Sequence, residues 1–133
     1  MIELVPSSHR DLLDDKTRAF AVLATTMADG SPQATMVWFD TADGQIRVNT
    51  ARGTTKYRNM LVRPSVALDI LDPNDPYRFL QIRGRVVGST EEGAREHIDR
   101  LGKKYRGWDT YPLIPGQVRV TFTIRAEHVT VTT

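Results

Sequence analysis

Two Asp-Gly dipeptides, Asp29-Gly30 and Asp43-Gly44, limit the folds open to this chain more than any other feature. Each supplies the residue types that a tight hairpin turn demands, and each lies between segments of strand length. Phe20-Ala-Val-Leu-Ala-Thr-Thr26 precedes the first turn and reads as a strand buried on both sides. Between the turns, Pro32 to Phe39 alternates: Gln33, Thr35, Val37 and Phe39 share one face, and Ala34, Met36 and Trp38 the other. After the second turn, Ile46 and Val48 alternate with Arg47 and Asn49 in a strand from Gln45 to Thr50. The pattern predicts a three-strand antiparallel meander.

The remaining elements follow from the same rules. Ser7 or Ser8 is placed to cap a short first helix through Leu12-Leu13. Beyond the meander, Thr54 or Thr55 caps a helix whose Tyr57, Met60 and Leu61 form an apolar side, and Arg63-Pro64 stops it. Ser65 to Leu71 is another apolar strand, and Asp72-Pro-Asn-Asp-Pro76 a rigid polar loop. Arg78 to Ser89 reads as a long strand, with Gly84 marking a bulge or a close backbone approach. Thr90 then caps a helix with an Ala94, Ile98, Leu101, Tyr105 stripe. An ordered loop from Gly107 to Gly116 follows, with Trp108, Tyr111 and two prolines. In the last strand Val118, Val120, Phe122 and Ile124 alternate with polar residues, and Val129 and Val131 extend the edge. Six strands with three helices beside them, in 133 residues, predict one mainly β (α+β) domain spanning 1–133, a six-stranded antiparallel barrel with peripheral helices.

Several chemistries lack their residues. The chain has no cysteine, which removes disulfides, thiolate nucleophiles and zinc–thiolate sites. His9, His97 and His128 are scattered without metal-ligand spacing and read as surface or helix-face residues, so no metal site is expected. There is no G-x-S-x-G elbow, Walker loop or G-x-G-x-x-G. Asp69, Asp72 and Asp75 cluster in sequence but read as a solvated turn. No apolar run reaches the length of a membrane span, and the N-terminus lacks the layout of a secretion signal. A cytoplasmic protein with no membrane contact is the expectation.

What remains is a place to hold an anion. Residues 1–43 carry seven acids and three bases, whereas Gln45 to Leu68 holds no acid, only Arg47, Arg52, Lys56, Arg58 and Arg63. Lys56 falls in the first turn of its helix, at the positive end of the dipole, an arrangement that costs roughly 0.3–1 kcal/mol unless compensated. Arg52 approaches the same end from the preceding turn. Solvated surface cations are one reading; a phosphate seated on two cations, two threonine hydroxyls and free helix amides is the other. The acid-free span favours the second, although a nucleic-acid face would be basic too. With no nucleophile or acid–base pair in view, such a chain is a binder or an enzyme whose cofactor performs the reaction.

The motifs resemble one family. Ala24-Thr25-Thr26-Met27-Ala28-Asp29-Gly30-Ser31-Pro32-Gln33-Ala34, Val37-Trp38-Phe39-Asp40, Thr50-Ala51-Arg52-Gly53-Thr54-Thr55-Lys56-Tyr57-Arg58-Asn59-Met60 and Asp72 to Val86 carry the likeness. In that order they are similar to the pyridoxamine 5′-phosphate oxidase-like split β-barrels. More narrowly they resemble the flavin/deazaflavin oxidoreductases of branch B, over about residues 15–132. The resemblance implies an FMN-binding split-barrel type of fold, a homodimer with cofactor sites between subunits, and the deazaflavin coenzyme F420, with FMN as the alternative. Carried over, the cofactor phosphate would meet Asn49, Thr50, Arg52, Thr54, Thr55 and Lys56, with Asn59 helping to hold the segment. Pro32 and Gln33 would line the ring system, and Tyr77 and Arg78 would arrive from the other subunit. Thr54 stands where some members have a second phosphate-facing Arg, so Arg52 would have to supply that charge.

The implied activity is an F420-dependent oxidoreductase that transfers a hydride between reduced deazaflavin and a small enone, quinone or tetrapyrrole-like molecule, with no catalytic side chain. The alternatives are an FMN-dependent oxidase or reductase on the same barrel and a non-catalytic F420 or flavin carrier. A barrel binding single-stranded nucleic acid would interleave aromatics with bases on its middle strands. Here those strands carry Arg47, Asn49, Gln81 and Arg83 with only Phe79 nearby, so no nucleic-acid partner is expected.

Overall fold

The computed structural model describes residues 2–132. Its strands are β1 (Phe20–Thr26), β2 (Pro32–Val37), β3 (Phe39–Ala42), β4 (Gln45–Ala51), β5 (Ser65–Asp72), β6 (Asp75–Thr90) and β7 (Arg119–Val131). Two α-helices, α1 (Thr55–Val62) and α2 (Ala94–Arg106), and 3-10 segments at Ile2–Leu4, Ser7–Leu13 and Asp15–Thr17 complete the described elements. The strands pair in the order β2-β1-β5-β6-β7-β4-β3, and this antiparallel sheet curls into the half-barrel of a split β-barrel. Leu23, Phe39, Ile46, Leu68, Ile82 and Phe122 are buried within its core. Among the described residues, no helix is long and apolar enough to cross a membrane.

The strand bounds for Phe20–Thr26, Gln45–Ala51 and Ser65–Asp72 agree with the alternation and turn rules to within a residue. The Asp43-Gly44 turn takes φ of 53° and 76°, the two left-handed positions that suit a two-residue hairpin. Gly84 is a close approach: a Cβ there would lie 2.2 Å from the Arg125 carbonyl oxygen, at a register shift in the β6–β7 pairing. No side chain fits that gap without moving backbone.

Several expectations need correction. The meander is not continuous, and the strands number seven rather than six. Pro32 to Phe39 breaks at Trp38, so that β2 pairs with β1 while β3 pairs with β4. These hairpins lie at opposite ends of the strand order and meet at Trp38, whose ring stacks on Tyr105 of α2 at 5.4 Å. A tertiary contact thus replaces continuous pairing. The first helix is a 3-10 segment behind Pro6, with no side-chain cap from Ser7 or Ser8. Thr90 ends β6 instead of capping α2, which starts after Gly93 in the left-handed region at φ 76°. The Asp72–Pro76 loop shrinks to a turn at Pro73-Asn74, because the Asp72 carboxylate accepts from the Asn74 amide at 2.8 Å and Asp72 already pairs with Asp75. Leu61 is exposed, and α1 buries Asn59 and Met60 instead. Finally, His9 and His97 both lie on helical segments, as the helix-face alternative had it, but both are buried.

Candidate functional site

The corner between β4 and α1 is built by hydroxyl groups. Thr54 is the N-cap of α1: its Oγ1 accepts from the Tyr57 amide at 3.3 Å, lies 2.9 Å from Thr50 Oγ1, and donates to the Ala51 carbonyl at 3.1 Å. The Arg52 amide donates to the Val118 carbonyl at 2.8 Å, which ties the turn to the approach of β7. Thr50 and Thr54 are therefore committed to holding the corner. Thr55 is half-buried, and its side chain makes no hydrogen bond among the described residues.

Four of the five cations in the acid-free span have partners. Arg47 forms a two-point pair with Asp40 at 3.0 and 2.7 Å. Arg52 pairs with Glu91 at 2.9 Å, both half-exposed. Arg58 donates to the Gly53 carbonyl, and Arg63 to the Thr26 carbonyl at 2.6 Å and to Asn59 Oδ1 at 3.1 Å. Lys56 is the exception. It makes no ion pair or hydrogen bond among the described residues and faces a cavity of about 190 Å³ walled by Met36, Val37, Trp38, Ile98 and Tyr111, with Asn49 and Arg119. Burial pushes the Lys56 ammonium below the ordinary lysine range, and the charge of Arg119 pushes it further the same way.

Arg119, the first residue of β7, is the second cation of this cavity. Its Nε donates to Asn49 Oδ1 at 2.8 Å, its Nη1 to Gln117 Oε1 at 3.3 Å, and its guanidinium lies 5.3 Å from the Tyr111 ring centre. All of these partners are neutral. Burial lowers the Arg119 pKa, partly offset by Tyr111. Two partly desolvated cations thus share a small cavity without a carboxylate, and an anion would relieve both.

Behind the cavity runs a buried polar chain. Asn49 Nδ2 donates to the Ala94 carbonyl at 2.9 Å and lies 3.2 Å from His97 Nδ1, while His97 Nε2 lies 3.0 Å from Asp40 Oδ1. Burial raises the Asp40 pKa, but hydrogen bonds from His97 and Arg47 outweigh it and hold the carboxyl below its ordinary value. Further along α1, Asn59 donates to Thr25 Oγ1 at 3.0 Å, and Thr25 donates to Gln33 Oε1 at 3.2 Å. Gln33 is thereby tied to α1. Pro32 lies beside it, at the rim of a second cavity of about 330 Å³ with Thr25, Thr26, Ser65, Arg83 and His128.

The structure therefore brings Asn49 and Lys56 together, and separately Pro32, Gln33 and Asn59. Arg52 turns to Glu91 instead of the cavity. Tyr77 and Arg78 stand at the start of β6; Tyr77 is 85% exposed, and Arg78 is held by Asp11 at 2.6 Å and Asp72 at 3.0 Å within its own chain. The sequence pattern gives Arg119 and Asp40 no role in the site and marks His97 only as a surface or helix-face residue. His97 had a signal, since it lies on the same helical stripe as Ala94, Ile98 and Leu101. Arg119 had none of its own: only the β4–β7 register, which sets it opposite Ala51, carries it to Lys56.

A family model described as pyridoxamine 5′-phosphate oxidase matches residues 7–132. No curated protein matches the chain. Among solved structures, an F420 reductase superposes with a TM-score of 0.81 at 29% identity, over 95% of this chain and 98% of that one. A conserved hypothetical protein from Mycobacterium tuberculosis gives 0.69 at 21% identity, covering 94% of this chain and 82% of its own. General stress protein 26 from Bacillus anthracis gives 0.65 at 16%, covering 91% of each. At such identities the last two speak to the fold alone.

Proposed function

The chain belongs to the pyridoxamine 5′-phosphate oxidase family, and from that premise we propose that it is a cytoplasmic oxidoreductase holding coenzyme F420 at the β4–α1 corner. Its reaction is a hydride exchange between the reduced coenzyme and a small organic molecule such as an enone, quinone or tetrapyrrole. The observation that carries this reading is the Lys56–Arg119 pair, two partly desolvated cations on one cavity with no acid to balance them. The likeness to an F420 reductase over nearly the full length of both chains supports the choice of coenzyme.

The residues present fit an anionic cofactor. Lys56 and Arg119 would grip the phosphate, with Asn49 on the same cavity and Thr55 next to Lys56 at the start of α1, while Thr50 and Thr54 keep the corner in shape. Pro32 and Gln33, the latter fixed through Thr25 and Asn59, would line the ring system. When bound, F420 supplies a carbon that gives or takes both electrons with the hydride, so no general base is required of the protein. Trp38 and Tyr111 would keep water from the cavity. Arg52 would remain a rim charge paired with Glu91.

The same reading places a second subunit against the outer sheet face. Asp69 Oδ1 is buried there without a hydrogen-bond partner, and burial raises its pKa, as suits a carboxyl awaiting a donor. Tyr77 would then reach the partner's cofactor, with Arg78 fixing the β5–β6 turn that presents it.

Competitive titration with F420 and FMN, followed through the fluorescence of Trp38 and Trp108 together, tests the proposal. F420 should bind more tightly, and Lys56→Ala should weaken it by about 1–3 kcal/mol, the worth of a charged hydrogen bond. Reduced F420 should then be oxidised by members of an enone, quinone and tetrapyrrole panel. Preference for FMN would move the protein to flavin chemistry on the same barrel; tight F420 binding without turnover would make it a carrier. Light scattering should show a dimer at micromolar concentration, and a stable monomer would remove the shared-groove model.

A further inference from the structure

We propose that His97 is a positioning residue for the anion seat, aiming the Arg119 guanidinium into the cavity through the side-chain amide of Asn49. The inference rests on the reading that Lys56 and Arg119 grip an anion, and it adds the device that keeps the second cation in place.

The geometry is a chain of directed hydrogen bonds. Asp40 is fixed by Arg47 and accepts from His97 Nε2, 3.0 Å away. A proton on Nε2 leaves Nδ1 as an acceptor with one lone pair, shared by the Thr121 hydroxyl at 2.9 Å and Asn49 Nδ2 at 3.2 Å, and Asn49 Nδ2 also lies 3.4 Å from Thr121 Oγ1. The other hydrogen of that amide goes to the Ala94 carbonyl at 2.9 Å. Both hydrogens of Asn49 are thus directed at α2 and the Thr121 hydroxyl beside it, which leaves Oδ1 turned the opposite way, to accept from Arg119 Nε at 2.8 Å.

The alternative amide orientation is unfavourable at both ends. Turned over, Asn49 would set its oxygen against the Ala94 carbonyl and a ring nitrogen that also accepts, and its NH₂ against the guanidinium N–H. His97 and Asn49 are both buried, so no solvent relieves such a mismatch. A bulky ring whose tautomer is set by a buried carboxylate thereby decides which way one amide points. Lys56, Arg119 and Arg47 are cations facing this chain, and Asp40 is its carboxylate.

Two substitutions separate positioning from stability. His97→Asn sets an amide oxygen near the place of Nδ1, keeping an acceptor for Asn49 while losing Asp40. His97→Gln sets its amide near the place of Nε2, keeping Asp40 while leaving Asn49 without that acceptor. Each variant loses one side of the ring's hydrogen bonding, so a purely structural role predicts equal effects. Positioning predicts that the Arg119 Nε–H resonance stays sharp in wild type and His97→Asn and broadens in His97→Gln, a readout that needs no ligand. Affinity for F420 and for inorganic phosphate should fall about tenfold in His97→Gln, as for one hydrogen bond to a charged group, and much less in His97→Asn.

An Arg119 resonance equally sharp in both variants, or equally broadened in both at matched unfolding midpoints, would overturn the proposal. Failure of wild type to bind F420, with the resonance still behaving as expected, would instead count against the F420 reading and leave the positioning of Arg119 standing.

Discussion

The β4–α1 corner and the β5–β6 turn are both crowded with charge, but only the turn is balanced. At the turn, Arg78 lies between Asp11 and Asp72, donates also to the Ser8 carbonyl, and ties the N-terminal 3-10 segment to the sheet. The Asp11 carboxyl is held below its ordinary range by its hydrogen bond to Arg78. At the corner, Lys56 and Arg119 face each other's field with neutral neighbours only. Matched charges serve the fold, whether buried as in Asp40–Arg47 or exposed as in Asp11–Arg78. Unmatched, partly buried charges cost the free protein stability, and the proposed function gives that cost a use in binding an anion.

The comparison is tested most severely at the buried matched pair. Asp40→Ala leaves Arg47 and His97 without their carboxylate and should cost about 3 kcal/mol of unfolding free energy, measured by urea denaturation, as breaking a buried pair does. The Asp40 pKa is lowered in the folded state, so its contribution is present above the unfolded value of 3.8 and is lost as pH falls through the folded one. The wild-type advantage over Asp40→Ala should therefore shrink only in acid. Next in size is Lys56→Ala, which should lose about 1–3 kcal/mol of F420 binding with an unfolding midpoint close to wild type. If instead it unfolded as readily as Asp40→Ala, Lys56 would be a structural charge and the contrast would collapse. Smaller still, Asp11→Asn should cost about 0.2–1 kcal/mol of stability, screened by salt, as read from its urea midpoint.

How much of this was legible in the chain depends on range. The helix cap at Thr54 or Thr55 and the Asp43-Gly44 turn are set by rules acting within a few residues, and the sequence shows them; Gly84 shows only as a glycine inside a strand, because the Arg125 carbonyl it admits lies on β7. The location of Lys56 at a helix start is equally local. The break at Trp38 is not, because it falls where the ring stacks on Tyr105 of α2, a contact that no alternation pattern encodes. The partner of Lys56 was hidden for a related reason. Arg52 is near in sequence and carries the right charge, yet Glu91 engages it, whereas Arg119 reaches the cavity through strand register. His97 stands on its helical stripe, where a histidine without metal-ligand spacing suggests no chemistry.

The smallest effect bears most directly on the unbalanced corner. Lys56→Gln removes one of two repelling cations while keeping a polar side chain of similar length. In the absence of any anion it should raise the unfolding temperature at neutral pH, an uncommon sign for a substitution at a binding residue. The pH dependence follows from linkage. The folded-state pKa of Lys56 is lowered below 10.5, so between the two values the unfolded chain binds more protons and folding stability rises with pH. The penalty is fully present below that window and disappears within it, so the advantage of Lys56→Gln over wild type should narrow as pH climbs toward 10.5. Phosphate or F420 should reverse the order at neutral pH, because only wild type gains from pairing both cations. Unfolding temperatures of the two proteins across neutral to alkaline pH, with and without phosphate, test this directly. An advantage that stayed constant with pH, or wild type more stable throughout without ligand, would mean that Lys56 and Arg119 are already at ease in the free protein.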